Sequence, residues 1–203
     1  GLSLASDGDV ADPDEDDTLS VTGTLSDEDG CTGSTCALTY AWSTAATSAT
    51  ITLGQSDVGD TISVTLTYTD DESETNTITL TAASNVDNVN DSPTGSVTIS
   101  GTPTEDQVLT AANDLADEDG IGSITYQWNR AGTAISSATS GTYTLVQADV
   151  GSAITVTASY DDAYSNGESV DSSATAAVAN VNDGGSGLSL ASDGDVADPD
   201  EDD

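Results

Sequence analysis

The chain has 203 residues, and its formal net charge is −36 because 37 acidic residues accompany one basic residue, Arg130, and no histidine. Proteins that bind DNA use Lys and Arg to displace the counterions of phosphates, so this charge excludes nucleic acid and anionic membranes as partners. Self-repulsion of this size opposes a compact state, and we expect high salt or bound metal cations to neutralise part of it.

The sequence at residues 1–17, GLSLASDGDVADPDEDD, recurs unchanged at residues 187–203. A repeat of this kind is typical of proteins built from tandem copies of one structural unit. We therefore interpret residues 184–203 as a linker followed by the first segment of a next repeat.

Cys31 and Cys36 are the two cysteines, and they stand close together in the loop sequence CTGSTC. Two cysteines are too few for a zinc site, so a local disulfide is favoured. A disulfide in turn indicates an oxidising, extracellular compartment. No apolar run is long enough to span a membrane, and since no signal peptide opens the sequence, an export signal would lie outside it.

Four segments alternate polar and apolar residues and are rich in Thr, Val and Ile, as β-strands are: TISVTLTY (61–68), NTITLTA (76–82), SVTIS (96–100) and AITVTASY (153–160). Gly, Asp and Ser clusters between such segments supply turns, and no helical pattern competes with them. The pattern predicts an all-β protein made of β-sandwiches.

Several landmarks occur twice in the same order, which indicates two copies of one domain, at residues 1–91 and 92–183. The paired landmarks are Leu25-x-Asp27-Glu28-Asp29-Gly30 with Leu115-x-Asp117-Glu118-Asp119-Gly120, Tyr40-x-Trp42 with Tyr126-x-Trp128, Asp57-Val58-Gly59 with Asp149-Val150-Gly151, and Asn88-Val89-Asn90-Asp91 with Asn180-Val181-Asn182-Asp183. The two tryptophans are predicted core residues. Residues 1–91 are called the first copy below, and residues 92–183 the second copy.

The order of the tryptophan and the later D-x-G sequence resembles the immunoglobulin layout. Where antibody domains have Tyr-x-Cys, this chain has Ile62-x-Val64 and Ile154-x-Val156. We therefore expect an aliphatic core without the central disulfide of antibodies.

Acidic residues recur in each copy at the start of the first strand, in the D-E-D-G turn, at the end of the long strand and in the N-V-N-D linker. Alternate strand ends of a sandwich meet at one pole, so these residues are predicted to converge there. Hard oxygen ligands in this number suit Ca²⁺, which takes about six to eight of them, better than Mg²⁺, which requires stricter geometry. The candidate ligands are Glu15, Asp16, Asp27, Asp29, Asp70, Asn88, Asn90, Asp91, Glu105, Asp106, Asp117, Asp119, Asp162, Asn180, Asn182 and Asp183.

The D-x-D turn and the N-x-N-D-x-P linker, from Asn88 to Pro93, resemble the calcium-binding apparatus of cadherins. The strings ITYQWNRAGTAISSATSGTYTLVQADVGSAITVTASYDD and VANVND resemble the immunoglobulin-like repeats of giant bacterial surface adhesins of the RTX type. This resemblance implies a surface adhesin that Ca²⁺ makes rigid. The linkers depart from the pattern, because the first opens with Asn where cadherins have Asp and the second runs into Gly-Gly-Ser-Gly without a proline.

An enzyme is not expected, since a chain without His or Lys has no common base at neutral pH. We expect a calcium-stiffened spacer of a secreted or cell-surface adhesin whose partners are neighbouring copies of the repeat and other cell-surface or matrix components. The alternatives are a subunit of an extracellular filament, sheath or surface layer that assembles end to end or by strand addition, and a module that binds glycans or ice. Carboxylates that only solvate the surface, as in halophilic proteins, are the alternative to a metal site.

Overall fold

The computed structural model describes residues 1–31 and 36–184. The chain divides into two compact units. The first unit comprises Gly1–Gly95, Leu115–Ile124 and Tyr160–Glu168, and the second comprises the remaining described residues. Two segments of the second copy are therefore structurally part of the first unit.

Two antiparallel sheets form the sandwich of the first unit, with strand orders β1-β2-β4 and β3-β5-β6. The strands are β1 (Leu2–Ser6), β2 (Thr18–Gly23), β3 (Thr39–Trp42), β4 (Thr50–Thr52), β5 (Ser63–Thr69) and β6 (Thr75–Thr81). Leu19 and Ile51 from one sheet and Trp42, Val64 and Leu66 from the other are buried together in one core. Alternation along β5 turns its apolar residues inward and its threonines outward.

The second copy forms sheets with the orders β11-β8-β7 and β10-β9-β12-β13. The strands are β7 (Val97–Ser100), β8 (Val108–Asn113), β9 (Thr125–Arg130), β10 (Thr133–Ala134), β11 (Thr142–Thr144), β12 (Ile154–Asp161) and β13 (Gly167–Asp171). Trp128 of β9 is fully buried and stacks on Tyr143 of β11, with their ring centroids 5.8 Å apart. The two sheets are thus joined by an aromatic contact as well as by aliphatic packing.

The all-β prediction is confirmed, and the four predicted strands correspond to β5, β6, β7 and β12 with small shifts at their ends. Trp42 and Trp128 are core residues, as predicted, and Ile62, Val64, Ile154 and Val156 supply the expected aliphatic interior. A disulfide joins Cys31 to Cys36, which confirms the local pairing.

None of the helical turns in the described ranges has the length and apolarity that a membrane-spanning helix requires. The predicted segment at 184–203, apart from Gly184, and the centre of the cysteine loop, at 32–35, lie outside the described residues. The predicted division into 1–91 and 92–183 stays a prediction about the two copies.

Candidate metal site

The position of Glu15 is set by backbone pairing between the segment before β2 and the segment that ends the first copy. The Glu15 amide donates to the Asp87 carbonyl at 2.9 Å, and the Asp87 amide donates to the Pro13 carbonyl at 2.9 Å. This pairing places Glu15 next to the N-V-N-D linker, and the residue is 4% exposed. Asp16, which follows, has a φ of 68°, a left-handed conformation that Asp tolerates better than most residues.

The D-E-D-G turn of the second copy, residues 117–120, lies within the first unit. The Asp117 side chain shapes the turn, because it accepts the Asp119 amide at 3.0 Å and the Tyr160 hydroxyl at 2.5 Å. The Asp91 amide donates to Asp119 Oδ2 at 2.7 Å. Asp119 is consequently only 2% exposed, although it belongs to a polar turn.

Three carboxylates converge in this region of the first unit. One carboxylate oxygen each from Glu15, Asp91 and Glu118 lies within 4.8 Å of the others. Glu15 is buried, Asp91 is half-buried and Glu118 is exposed, so the group is open to solvent on one side. The arrangement provides oxygen ligands alone, which is the donor set that Ca²⁺ and Mg²⁺ prefer.

Gln55 adds an amide to this group, and the orientation of the amide decides which of its hydrogen bonds are made. In one orientation the nitrogen donates to Asn88 Oδ1 at 3.2 Å and lies 3.1 Å from the Tyr164 hydroxyl. In the other orientation the nitrogen donates to Glu15 at 3.2 Å and to Asp119 at 3.1 Å. The second orientation satisfies both atoms of the amide, because in the first orientation the amide oxygen faces only acceptors.

The carboxylates oppose one another electrostatically. Burial raises the pKa of Glu15, and the neighbouring charges of Asp91, Asp119 and Asp16 raise it further. Burial also raises the pKa of Asp91, as do the charges of Asp119, Asp16 and Asp117. The charged form of each group is therefore less favourable here than in water, and a nearby cation would stabilise it.

No side chain of this protein is free to supply that positive charge. The sequence contains one basic residue, Arg130, and its Nε is 2.6 Å from Asp149 Oδ1 in the second unit. Protons or external cations are what remain to neutralise the carboxylates of the first unit.

The predicted ligands thus fall into three groups. Glu15, Asp91 and Asp119 come together, and Asp16 and Asp117 are near enough to act on the pKa of Asp91. Asn88 contacts Gln55, and Asn90 Nδ2 donates to Glu168 Oε1 at 3.0 Å.

Asp70 and Asp162 belong to the second group, whose carboxylates organise their own hairpin turns. Asp70 accepts the amides of Glu72 and Glu74 at 3.0 and 2.9 Å. Asp162 accepts the amide and the side chain of Asn166 at 2.9 and 3.0 Å. Neither is one of the three carboxylates that converge.

The third group contains the residues that match the convergent residues by sequence but lie in the opposite copy. Asp27 accepts the Tyr68 hydroxyl at 2.8 Å, whereas Asp29 is exposed. In the second unit, Glu105 is 3% exposed and accepts the Val181 amide at 3.1 Å. The other members of this group are Asp106, Asn180, Asn182 and Asp183, all of them exposed.

Sequence reasoning missed two residues, Glu118 and Gln55, and both left a signal. Glu118 stands between the two aspartates of the D-E-D-G turn. Gln55 lies in a Q-x-D-V-G sequence that recurs at Gln147, where the side chain contacts Asn180 at 3.2 Å as Gln55 contacts Asn88.

No protein-family model and no curated protein matches this chain. Among solved structures, it is similar to the three N-terminal domains of the highly immunogenic outer capsid protein Hoc of bacteriophage RB49, with 19% identity and a TM-score of 0.30 over 84% of this chain and 57% of that one. It is also similar to the fibronectin(III)-like modules of Clostridium thermocellum CbhA, with 16% identity and a TM-score of 0.29 over 87% of this chain and 94% of that one. The chain therefore spans 57% of the capsid protein structure's length.

Proposed function

We propose that this chain is a structural repeat of a secreted or cell-surface adhesin and that Ca²⁺ stiffens it by binding at Glu15, Asp91 and Glu118. The convergence of these carboxylates within one unit is the observation that carries the proposal. Glu15 and Asp91 come from the first copy and Glu118 from the second, so one cation would hold segments of both copies together.

The chemistry of the group fits Ca²⁺. Glu15, Asp91, Glu118 and Asp119 would provide carboxylate oxygens, and Gln55 would add an amide oxygen once its amide turns to face the cation, without any nitrogen or sulfur ligand. Ca²⁺ accepts about six to eight oxygen ligands in flexible geometry, which suits carboxylates that come from separate segments, whereas Mg²⁺ requires a near-ideal octahedron and keeps several of its waters.

One bound Ca²⁺ would supply a large share of the free energy that stabilises a domain. Extracellular modules bind Ca²⁺ with dissociation constants of about 10⁻⁴ to 10⁻³ M. At a hundredfold excess over the constant, one site adds about 2.7 kcal/mol to the free energy of unfolding. That is a substantial share of the roughly 5–15 kcal/mol that stabilises an ordinary domain.

Two further observations support an extracellular structural role. The disulfide between Cys31 and Cys36 is the kind of bond that oxidising compartments preserve. The sequence lacks histidine and lysine, which are common bases at neutral pH, and its single arginine is paired with Asp149.

The test compares Glu15→Gln with its matched control, Glu105→Gln, in EDTA and in Ca²⁺. Without a cation, Glu15→Gln is expected to raise the melting temperature, because it removes one of several mutually repelling carboxylates. With Ca²⁺ it is expected to lower the melting temperature relative to wild type, because a ligand is lost. Glu105→Gln should leave the response to Ca²⁺ nearly unchanged.

Calorimetric titration with Ca²⁺ and separately with Mg²⁺ measures the affinity directly. Wild-type protein that shows no Ca²⁺-dependent rise in melting temperature, or a Glu15→Gln variant that responds as wild type does, contradicts the proposal.

A further inference from the structure

Gln55 stands on a backbone that hydrogen bonds fix from both sides. The residue begins a short 3₁₀ helix that ends at Asp57. The Asp57 side chain accepts the Gly54 amide at 3.0 Å, which secures the start of this helix. The Leu53 carbonyl, just before it, accepts the Asp16 amide at 3.2 Å. The Gln55 side chain therefore extends from a fixed point toward the carboxylates of the candidate site.

The Gln55 amide contacts segments that are distant from one another in the sequence. Its atoms lie within hydrogen-bond distance of side chains from four segments: Glu15 before β2, Asn88 in the linker, Asp119 in the D-E-D-G turn and Tyr164 in the turn after β12. The first two segments belong to the first copy and the other two to the second copy. One side-chain amide thus connects both copies within the first unit.

Glu15 and Asp119 each accept a backbone amide and also face the Gln55 side chain. The Val89 amide hydrogen-bonds to Glu15, and the Asp91 amide donates to Asp119 Oδ2 at 2.7 Å. The other oxygen of Asp119, Oδ1, lies 3.1 Å from the Gln55 amide. Because the sequence has no lysine and no histidine, and its arginine is paired in the second unit, a neutral amide is the side-chain group that bridges these two carboxylates.

The two orientations of the Gln55 amide suit two different states of the site. With the nitrogen toward the carboxylates, the NH₂ group donates to Glu15 and Asp119, and the amide oxygen accepts the Tyr164 hydroxyl at 3.1 Å. With the oxygen toward the carboxylates, it lies 3.1 to 3.3 Å from three carboxylate oxygens, and no hydrogen stands between them. Negatively charged oxygens at such distances repel one another unless a cation lies among them.

We infer that Gln55 is a positioning residue of this site: its NH₂ group joins Glu15 to Asp119 when no cation is present, and the amide turns its oxygen inward when a cation binds. Bridging by the NH₂ group needs no cation, whereas rotation of the amide rests on the calcium function proposed above. The bridge keeps segments of both copies together in the cation-free protein. A cation has to displace its hydrogen bonds in order to bind, so Gln55 raises the calcium concentration at which the site fills.

Gln55→Glu tests both halves, because it keeps the shape of the side chain and replaces the NH₂ group with an oxygen. In EDTA the variant should melt about 4 °C or more below wild type, since hydrogen bonds to carboxylates are lost and a negative charge is added beside them. Its affinity for Ca²⁺ in calorimetric titration should be about tenfold higher, because a charged ligand is gained and no amide hydrogen bond has to be broken.

Gln147→Glu is the matched control in the second copy, where the side chain is exposed and contacts Asn180. It adds the same charge and should leave the melting temperature in EDTA and the calcium affinity nearly unchanged. Gln55→Met removes the donor without adding a charge. It should also melt below wild type in EDTA, and it should bind Ca²⁺ more weakly than Gln55→Glu does.

NMR of the side-chain amides observes the bridge itself in the wild-type chain, and the resonances of Gln55 are identified by their absence from Gln55→Met. In EDTA the NH₂ protons of Gln55 should exchange with water more slowly than those of Gln147, because they are hydrogen-bonded to carboxylates. Addition of Ca²⁺ should remove this protection, since the oxygen then faces the cation.

A Gln55→Glu chain that melts in EDTA as wild type does, or Gln55 NH₂ protons that exchange as fast as those of Gln147, overturns the bridge whether or not calcium binds. Protected Gln55 protons in a chain that does not respond to Ca²⁺ support the bridge and contradict the calcium function. Calcium binding that leaves these protons protected supports the calcium function and overturns the rotation of the amide.

Discussion

The two D-E-D-G turns have the same sequence and different surroundings. In the turn at 117–120, Asp119 is 2% exposed, and the Asp91 amide donates to it. In the turn at 27–30, Asp29 is exposed. Both turns use their first aspartate in the same way, to accept a tyrosine hydroxyl. The local structure of the turn is therefore the same in both copies, and burial beside the linker of the preceding copy makes one of the two turns part of a candidate site.

The D-V-G segments at 57–59 and 149–151 also have the same sequence and different surroundings. Asp149 is fully buried and accepts hydrogen bonds from Arg130 and from Tyr143, at 2.6 and 2.9 Å. In the first copy the corresponding Asp57 is half-buried, and Thr44 stands at the position of Arg130. Thr44 Oγ1 is buried without a hydrogen-bond partner in the described structure. The one basic residue of the sequence thus serves the stability of the second unit.

The largest expected effect concerns the D-V-G segment of the second copy. Arg130→Ala should lower the free energy of unfolding of the second unit by about 3 kcal/mol or more, because it leaves the Asp149 carboxylate buried without its ion pair. Chemical denaturation followed by tryptophan fluorescence measures the change.

The matched control is Thr44→Val in the first copy, which removes an unpaired hydroxyl and should be neutral or slightly stabilising. If Arg130→Ala lowers the free energy of unfolding no more than an ordinary surface substitution does, the ion pair does not stabilise the D-V-G segment of the second copy.

An intermediate effect is expected at the turns. Tyr160→Phe removes a hydroxyl that donates to Asp117 at 2.5 Å, and Tyr68→Phe removes one that donates to Asp27 at 2.8 Å. Each should cost about 1–2 kcal/mol, as hydrogen bonds to charged acceptors do. Thermal unfolding of the two variants compares the turns directly.

Calcium should separate these two variants further. Tyr160→Phe is expected to weaken Ca²⁺ binding, because Asp117 holds the turn that presents Glu118. Tyr68→Phe should leave binding unchanged. Equal losses of calcium affinity in both variants would mean that the two turns do not differ in function.

The smallest effect is a pH dependence that arises from Asp114, which has no acidic counterpart in the first copy. Asp114 accepts the Ser96 hydroxyl and the Ser96 amide at 2.9 and 2.7 Å, and these bonds lower its pKa. A lowered pKa stabilises the folded state above the unfolded pKa of about 4, and that contribution is lost as the pH falls through the folded pKa. Thr24 replaces Asp114 in the first copy.

Asp114→Asn should therefore be slightly less stable than wild type at pH 7, and the difference should shrink below about pH 4. Urea unfolding at several pH values measures it. A difference that stays constant down to pH 2 would show that ionisation of Asp114 does not contribute.

Local patterns predicted much of the fold. Strands β5 and β12 alternate apolar and polar residues without interruption, so their positions were predictable from period and composition. Strand β1 was not among the predicted strands, because Leu2 and Leu4 are its two large apolar residues and the pattern is too short to stand out. Whether a short edge segment becomes a strand depends on the partner that it finds in the fold.

The sequence predicted which residue types form the candidate site, but it did not predict which of them lie close together. Recurrence of acidic residues identified Glu15, Asp91 and Asp119, but it gave equal weight to Asp70 and Asp162, whose oxygens are used by their own turns. It also passed over Gln55 and Glu118. Hydrogen bonds within a turn and contacts across the chain compete for the same carboxylates, and sequence spacing alone does not decide between them.

Local pattern and composition were enough to predict the all-β class, the buried tryptophans and the disulfide, and they gave the shortage of positive charge directly. Folding decides which of the two D-E-D-G turns has a buried second aspartate, which acids converge and what Gln55 faces. Those outcomes depend on segments such as 13–15 and 117–119, which are distant in the chain and meet only after folding. The physical reason is that burial and charge interaction are properties of neighbours in space.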